Sequence, residues 1–107
     1  MAVSATAAVA TAHASKYLQQ LCKHWQHNLA VEFTADHGTV TFPKDARGAD
    51  WPGDALAIFD AAPDALSVRI EASIDEQLEG LKGAVARHLD RFAFREAPLT
   101  FDWQRAA

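Results

Sequence analysis

Residues 65–94 read ALSVRIEASIDEQLEGLKGAVARHLDRFAF. Over the first eight, Leu66, Val68, Ile70 and Ala72 face one way and Ser67, Arg69 and Glu71 the other. That is the period of two of a half-buried strand. At Ser73 the period changes. Ile74, Leu78, Leu81, Val85, Leu89 and Phe92 recur at threes and fours and make one stripe of an amphipathic helix. The spacing predicts a helix over 74–95, about 30 Å long at 1.5 Å per residue. Ser73-Ile74-Asp75-Glu76 has the pattern of a capping box, with the Ser73 hydroxyl accepting the Glu76 amide and the Glu76 carboxylate reaching back. Gly80 and Gly83 each cost about 1 kcal/mol relative to alanine, which suggests a packing reason for them. Pro98 is the expected stop.

The same change of period occurs at the other end of the chain. Val3, Ala5, Ala7 and Val9 alternate with Ser4, Thr6, Ala8 and Ala10, a strand of small residues that invites a helix to pack close. From about 12 to 28, Ala14, Leu18, Leu21, Cys22 and Trp25 form a helical stripe, with Thr11 as N-cap. Val31 and Phe33, then Val40 and Phe42, alternate with polar residues around Ala35-Asp36-His37-Gly38, where Gly38 offers positive φ to a hairpin turn. Residues 43–54 (PKDARGADWPGD) read as a surface loop. A strand over 55–60 pairs with 65–72 through Ala61-Ala62-Pro63-Asp64. Leu99, Phe101 and Trp103 alternate with Thr100, Asp102 and Gln104 as a last strand. The order β-α-β-β-β-β-α-β predicts an α+β two-layer sandwich, a six-stranded and mostly antiparallel sheet with both helices on one face. The expected core is Leu18, Leu21, Trp25, Val31, Phe33, Val40, Val68, Ile70, Leu78, Leu81, Val85, Leu89, Phe92 and Phe101.

At 107 residues the chain is sized for one domain over 1–107. Half of it is apolar and 22% is charged, too apolar for a disordered chain. The net charge of −4 argues against nonspecific binding to nucleic acid or to an anionic membrane. No run approaches the roughly 18 apolar residues of a membrane span. The Ala-rich start lacks the basic region of an export signal, and a lone cysteine excludes a disulfide framework; a cytoplasmic location is expected.

Chemistry is less legible. Projected at 100° per residue, His13, Tyr17, Gln20, His24 and His27 line one edge of the first helix. His88 and Arg95 border the apolar face of the second, with Arg91 farther out. If the helices lie side by side, these flanks meet in a groove walled by Tyr17 and Phe94. The ligand-binding candidates are His13, Tyr17, His24, His88, Arg91, Phe94 and Arg95, suited to a planar anionic molecule. The plain alternative for each histidine is a half-buried ring with one nitrogen on a carbonyl. His24 and His27 at i, i+3 do not make a metal site alone; a metal needs His88 or a carboxylate from elsewhere. Arg87, Arg91 and Arg95 read equally as an anion cradle or a solvated helix face. Cys22 lies in the apolar stripe and reads as an inert hydrophobe. No phosphate loop, nucleophile elbow or nucleotide fingerprint is present, so no cofactor is specified.

Residues 10–27 (ATAHASKYLQQLCKHWQH), residues 86–96 (ARHLDRFAFRE) and the pair Asp102-Trp103 resemble the bacterial domain-of-unknown-function family 2218. The matching residues are His13, Tyr17, His24, His88, Arg91, Phe92, Phe94 and Arg95. The family carries no established activity. The resemblance implies an accessory role beside siderophore-interacting flavin reductases, hence a ferric complex as ligand and a flavin reductase as partner. The leading expectation is a non-catalytic binding module linked to iron or siderophore metabolism. An interaction module that forms a homodimer through a sheet face or edge is the alternative. An acid–base enzyme using His24 or His88 is ranked third.

Overall fold

The structure, a computed structural model, describes residues 3–45 and 48–106. Ala46 and Arg47 of the expected 43–54 loop lie outside the described residues. The chain forms β1 (Val3–Ala10), α1 (Ala14–Trp25), β2 (Ala30–Phe33), β3 (His37–Phe42), β4 (Ala55–Ala61), β5 (Ala65–Ala72), α2 (Asp75–Phe92) and β6 (Gln104–Ala106). The strands make one sheet in the order β2-β3-β4-β5-β1-β6, every neighbour antiparallel. The expected α+β architecture is the observed one. Among the described residues no helix is long and apolar enough to cross a membrane.

Register explains why both helices share a face. Ala5 pairs with Ile70, Ala7 with Val68 and Val9 with Leu66. Phe59 sits opposite Val68 and Ala57 opposite Ile70, while Val40 pairs with Ala57 and Gly38 with Phe59. Directly paired residues point to the same side of a sheet, so these side chains form one apolar surface. α1 lies over β3, β4 and β5, and α2 over β5 and β1; the two helices also contact each other. The alanines of β1 leave the room that α2 occupies. Phe59 is the largest fully buried side chain and was absent from the expected core. Val31, Phe33, Leu81, Phe92 and Phe101 pack against the core but stay partly exposed.

Four local expectations are corrected. First, the α1 N-cap is His13, without a side-chain cap bond; the Thr11 hydroxyl accepts the His13 amide at 3.1 Å from two residues further out. Second, the hairpin turns at Thr34–Asp36, closed by the Thr34 amide on the His37 carbonyl at 2.7 Å. His37 and Gly38 already belong to β3, and Gly38 is there for close approach: a Cβ on it would lie 2.8 Å from Cys22 Sγ. Third, α2 starts at Asp75 with Ile74 as N-cap, so Gln77, not Glu76, occupies the third helical position. The Ser73 amide and hydroxyl both donate to Gln77 Oε1, at 2.7 and 2.6 Å, and buried Gln77 donates to the Gly53 carbonyl at 3.0 Å. The reciprocal box does not form; Gln77 reaches back one-sidedly and ties the loop before β4 to the helix. Fourth, α2 ends at Phe92, well before Pro98, and the ladder of β6 begins only at Gln104. The Leu99 amide instead donates to Asp90 Oδ1 at 2.8 Å, while Leu99, Phe101 and Trp103 still turn inward.

The helical glycines do not serve packing against the sheet. Nothing lies within 4 Å of a Cβ added at Gly80, and at Gly83 only the Arg87 side chain does. Gly80 is exposed in mid-helix. Gly80→Ala is therefore expected to stabilise the fold by about 1 kcal/mol, because alanine keeps less freedom in the unfolded chain. A urea midpoint equal to or below that of the parent would contradict it.

Candidate functional site

α1 presents one edge to α2 along a seam, and the two helices run antiparallel there. Near the C-terminal end of α1, His24 meets His88, ring centroids 5.5 Å apart, and Phe92 stands edge-on to His24 at 5.8 Å. Trp25, buried beneath, packs on His88 at 4.9 Å and on Phe42 at 5.2 Å. Seven residues earlier, about 10 Å along the helix, Tyr17 meets Glu96 just beyond the end of α2. The spacing of three and four puts Tyr17, Gln20 and His24 of α1 on one edge, with His13 at the N-cap; His27, expected on the same edge, lies past the end of α1.

The sequence-selected residues fall into three groups. His24 and His88 come together, and the charge of Arg91 reaches His24. His13 and Tyr17 sit together at the other end of α1, ring centroids 6.0 Å apart. Phe94 and Arg95 lie beyond α2; Phe94 is 70% exposed, with the Arg95 guanidinium 5.7 Å from its ring. A depression of about 360 Å³ adjoins His13, not the His24–His88 pair, and is lined by Ser15, Lys16, Asp36, Ala61 and Pro63 among others.

The electrostatics of the two histidines differ. His88 Nδ1 lies 2.6 Å from the Ala84 carbonyl. A carbonyl only accepts, so Nδ1 carries the proton and Nε2 is the nitrogen left for a partner. This is the half-satisfied ring that the plain structural alternative describes, with one nitrogen remaining. The pKa of His24 is lowered, first by partial desolvation and then by the charges of His88, Arg91 and His27. Its ring is therefore neutral at pH 7 and has a lone pair to offer. Between the two clusters, on the same edge, Gln20 Oε1 is buried without a hydrogen-bond partner.

Sequence reasoning missed Glu96 as a participant. The Tyr17 phenol donates to its carboxylate, and the Thr11 hydroxyl donates to both oxygens at 3.0 and 3.1 Å. The Tyr17 hydrogen bond is the main reason the Glu96 carboxyl titrates below the usual range; desolvation opposes it, while Thr11 and the charge of His13 assist. Helical projection gives no warning of Glu96 because it lies past the last turn of α2. Cys22 behaves as expected: it is fully buried, and burial pushes its thiol up to about 11, so it is no nucleophile. Among the described residues, no group of three or more His, Cys, Asp or Glu is gathered as a metal would require.

A six-stranded antiparallel sheet with two seamed helices on one face, and a histidine–aromatic cluster on the seam, defines a small α+β protein. The sequence pattern of the family described as "Uncharacterized protein conserved in bacteria (DUF2218)" matches residues 6–104, and the chain belongs to that family. It is similar to a solved structure, the "NMR structure of PA4090 from Pseudomonas aeruginosa", at 29% sequence identity over 95% of each chain with a TM-score of 0.73. No curated protein matches the chain.

Proposed function

We propose that the chain is a small non-catalytic binding module, cytoplasmic in location, whose ligand sits on the α1–α2 seam at His24 and His88. The observation that carries this is the 5.5 Å approach of two imidazoles from different helices. Each retains a nitrogen for an external partner, with an aromatic edge beside them and a cation nearby. That combination suits a planar anionic molecule: Arg91 answers its charge, Phe92 its face, and the histidine rings its polar atoms. The orphaned Gln20 Oε1 adds an acceptor that a donor on the ligand would satisfy, since a buried unpaired acceptor costs about 1–3 kcal/mol. The link to iron, and to a flavin reductase as partner, is supported by the family resemblance alone.

The test is an NMR titration of the histidine rings with citrate and with ferric citrate near neutral pH. His24 and His88 signals should shift saturably. His24→Ala and His88→Ala should each weaken binding about tenfold, or about 1.4 kcal/mol, while changing stability by no more than about 1 kcal/mol. Unmoved rings, or variants that bind like the parent, would overturn the reading. The second reading, a homodimerising module, is favoured by the uncovered face of the sheet. There Leu56 and Ile58 lie half-buried in β4, paired with Glu71 and Arg69 of β5. A tight dimer at micromolar concentration that ignores both ligands would select it.

A further inference from the structure

We infer that His24 and His88 jointly coordinate one divalent transition-metal ion presented as an anionic chelate, the chelator filling the remaining positions. The inference deepens the seam-binding reading above and rests on it for its location. Three observations lead to it. The first is distance. With metal–nitrogen bonds of about 2.1 Å and an angle at the metal between roughly 90° and 110°, two imidazole centroids on one ion lie roughly 4.5–5 Å apart; these two are 5.5 Å apart. The second is tautomer. His88 donates Nδ1–H to the Ala84 carbonyl, the arrangement by which metal-binding histidines fix their orientation and expose Nε2 as a lone pair. His24, whose ring faces His88 across the seam, supplies the other nitrogen. The third is the ligand count. Among the described residues no third His, Cys, Asp or Glu joins the pair, so the protein contributes two donors and leaves the other positions open. A bare ion held by two nitrogens is held weakly; an ion whose other positions are taken by carboxylates gains the charge of Arg91 as well. Imidazole donors favour copper, nickel and zinc over magnesium or calcium.

Nickel–nitrilotriacetate is the direct probe, because its chelator leaves two adjacent positions on the metal. Titrated against the whole chain, it should bind with one-to-one stoichiometry. His24→Ala and His88→Ala should each weaken it at least tenfold. His27→Ala should leave it unchanged, which separates the seam pair from the i, i+3 pair on α1. Arg91→Ala should weaken the chelate but not Ni²⁺ alone. Since His88 packs on Trp25, its variant is accompanied by thermal melts, and exposed His24 supplies the second, independent variant. Loss of binding in His27→Ala with retention in His88→Ala overturns the inference. If citrate moves the His24 and His88 rings but the nickel chelate does not bind, the metal inference falls and the seam-binding reading stands. If neither ligand binds, both fall.

Discussion

Gly38→Ala is expected to destabilise the protein by about 1–3 kcal/mol, the usual cost of inserting a methyl group into a filled core. The residue lies in β3 opposite Phe59, directly beneath α1. The added carbon would sit 2.8 Å from Cys22 Sγ, 3.2 Å from Phe33 Cβ and 3.4 Å from Leu18 Cδ2. The first contact is shorter than carbon and sulfur tolerate, and all three neighbours belong to the core or pack against it. Neither the sheet nor α1 has slack: Leu18 and Cys22 are fully buried. In a domain near 100 residues each kcal/mol is worth roughly 4–8 °C in melting temperature. A double-mutant cycle assigns the cause. Cys22→Ala removes the nearest atom, so the pair Gly38→Ala and Cys22→Ala should lose less than the two single changes added together. Strict additivity, or a neutral Gly38→Ala, would show that α1 and β3 are not in this close contact.

Gly38 also shows where the sequence was legible and where it was not. Apolar period alone led to both helices and the first five strands, because each element buries one face and polar residues hold the other; it put the last strand over 99–104, ahead of the observed Gln104–Ala106. It led to the wrong role for Gly38, since glycine beside Asp36 and His37 has turn chemistry whether or not the turn is made there. The close approach that requires it depends on Cys22 and Leu18, remote in sequence. The capping box failed for a similar reason. Glu76 and Gln77 both suit a reach back to Ser73, and the start of α2 decides between them; burial of Gln77 against the Gly53 carbonyl is a tertiary fact. At the candidate site, projection put His24 and His88 on facing flanks, as any two border residues of neighbouring helices would be. It did not separate them from His13 and Tyr17, because whether one flank forms one cluster or two depends on the antiparallel stagger of the helices. Phe94 and Arg95 lie off the seam because α2 ends with its apolar stripe at Phe92, short of the helix expected to residue 95.

Tyr17→Phe should cost about 1–2 kcal/mol near pH 7, the worth of a hydrogen bond from a buried phenol, and the cost should depend on pH in a defined window. The phenol donates to Glu96 and shares that carboxylate with Thr11, joining the β1–α1 junction to the segment after α2. The Tyr17 hydroxyl is raised above its ordinary value, first by its hydrogen bond to Glu96, then by burial and by the Glu96 charge. A folded pKa above the unfolded one contributes stability fully present below the unfolded value, roughly pH 10, and lost as pH rises through the folded value. The Glu96 carboxyl is lowered, chiefly by the same bond. A lowered carboxyl contributes stability present above its unfolded value, roughly pH 4.3, and lost as pH falls through the folded value. The contact is therefore at full strength between those limits and fades on both sides. Wild type should lose more stability than Tyr17→Phe on acidification below about pH 4.3, and the two curves should converge. Glu96→Gln should flatten the acid limb in the same way, because its amide still accepts from the phenol but no longer titrates. Urea unfolding of the three proteins at a series of pH values measures this directly. Parallel curves for wild type and Tyr17→Phe through the acid limb would show that the phenol does not hold the carboxylate, and that Thr11 and packing alone join the two helix ends.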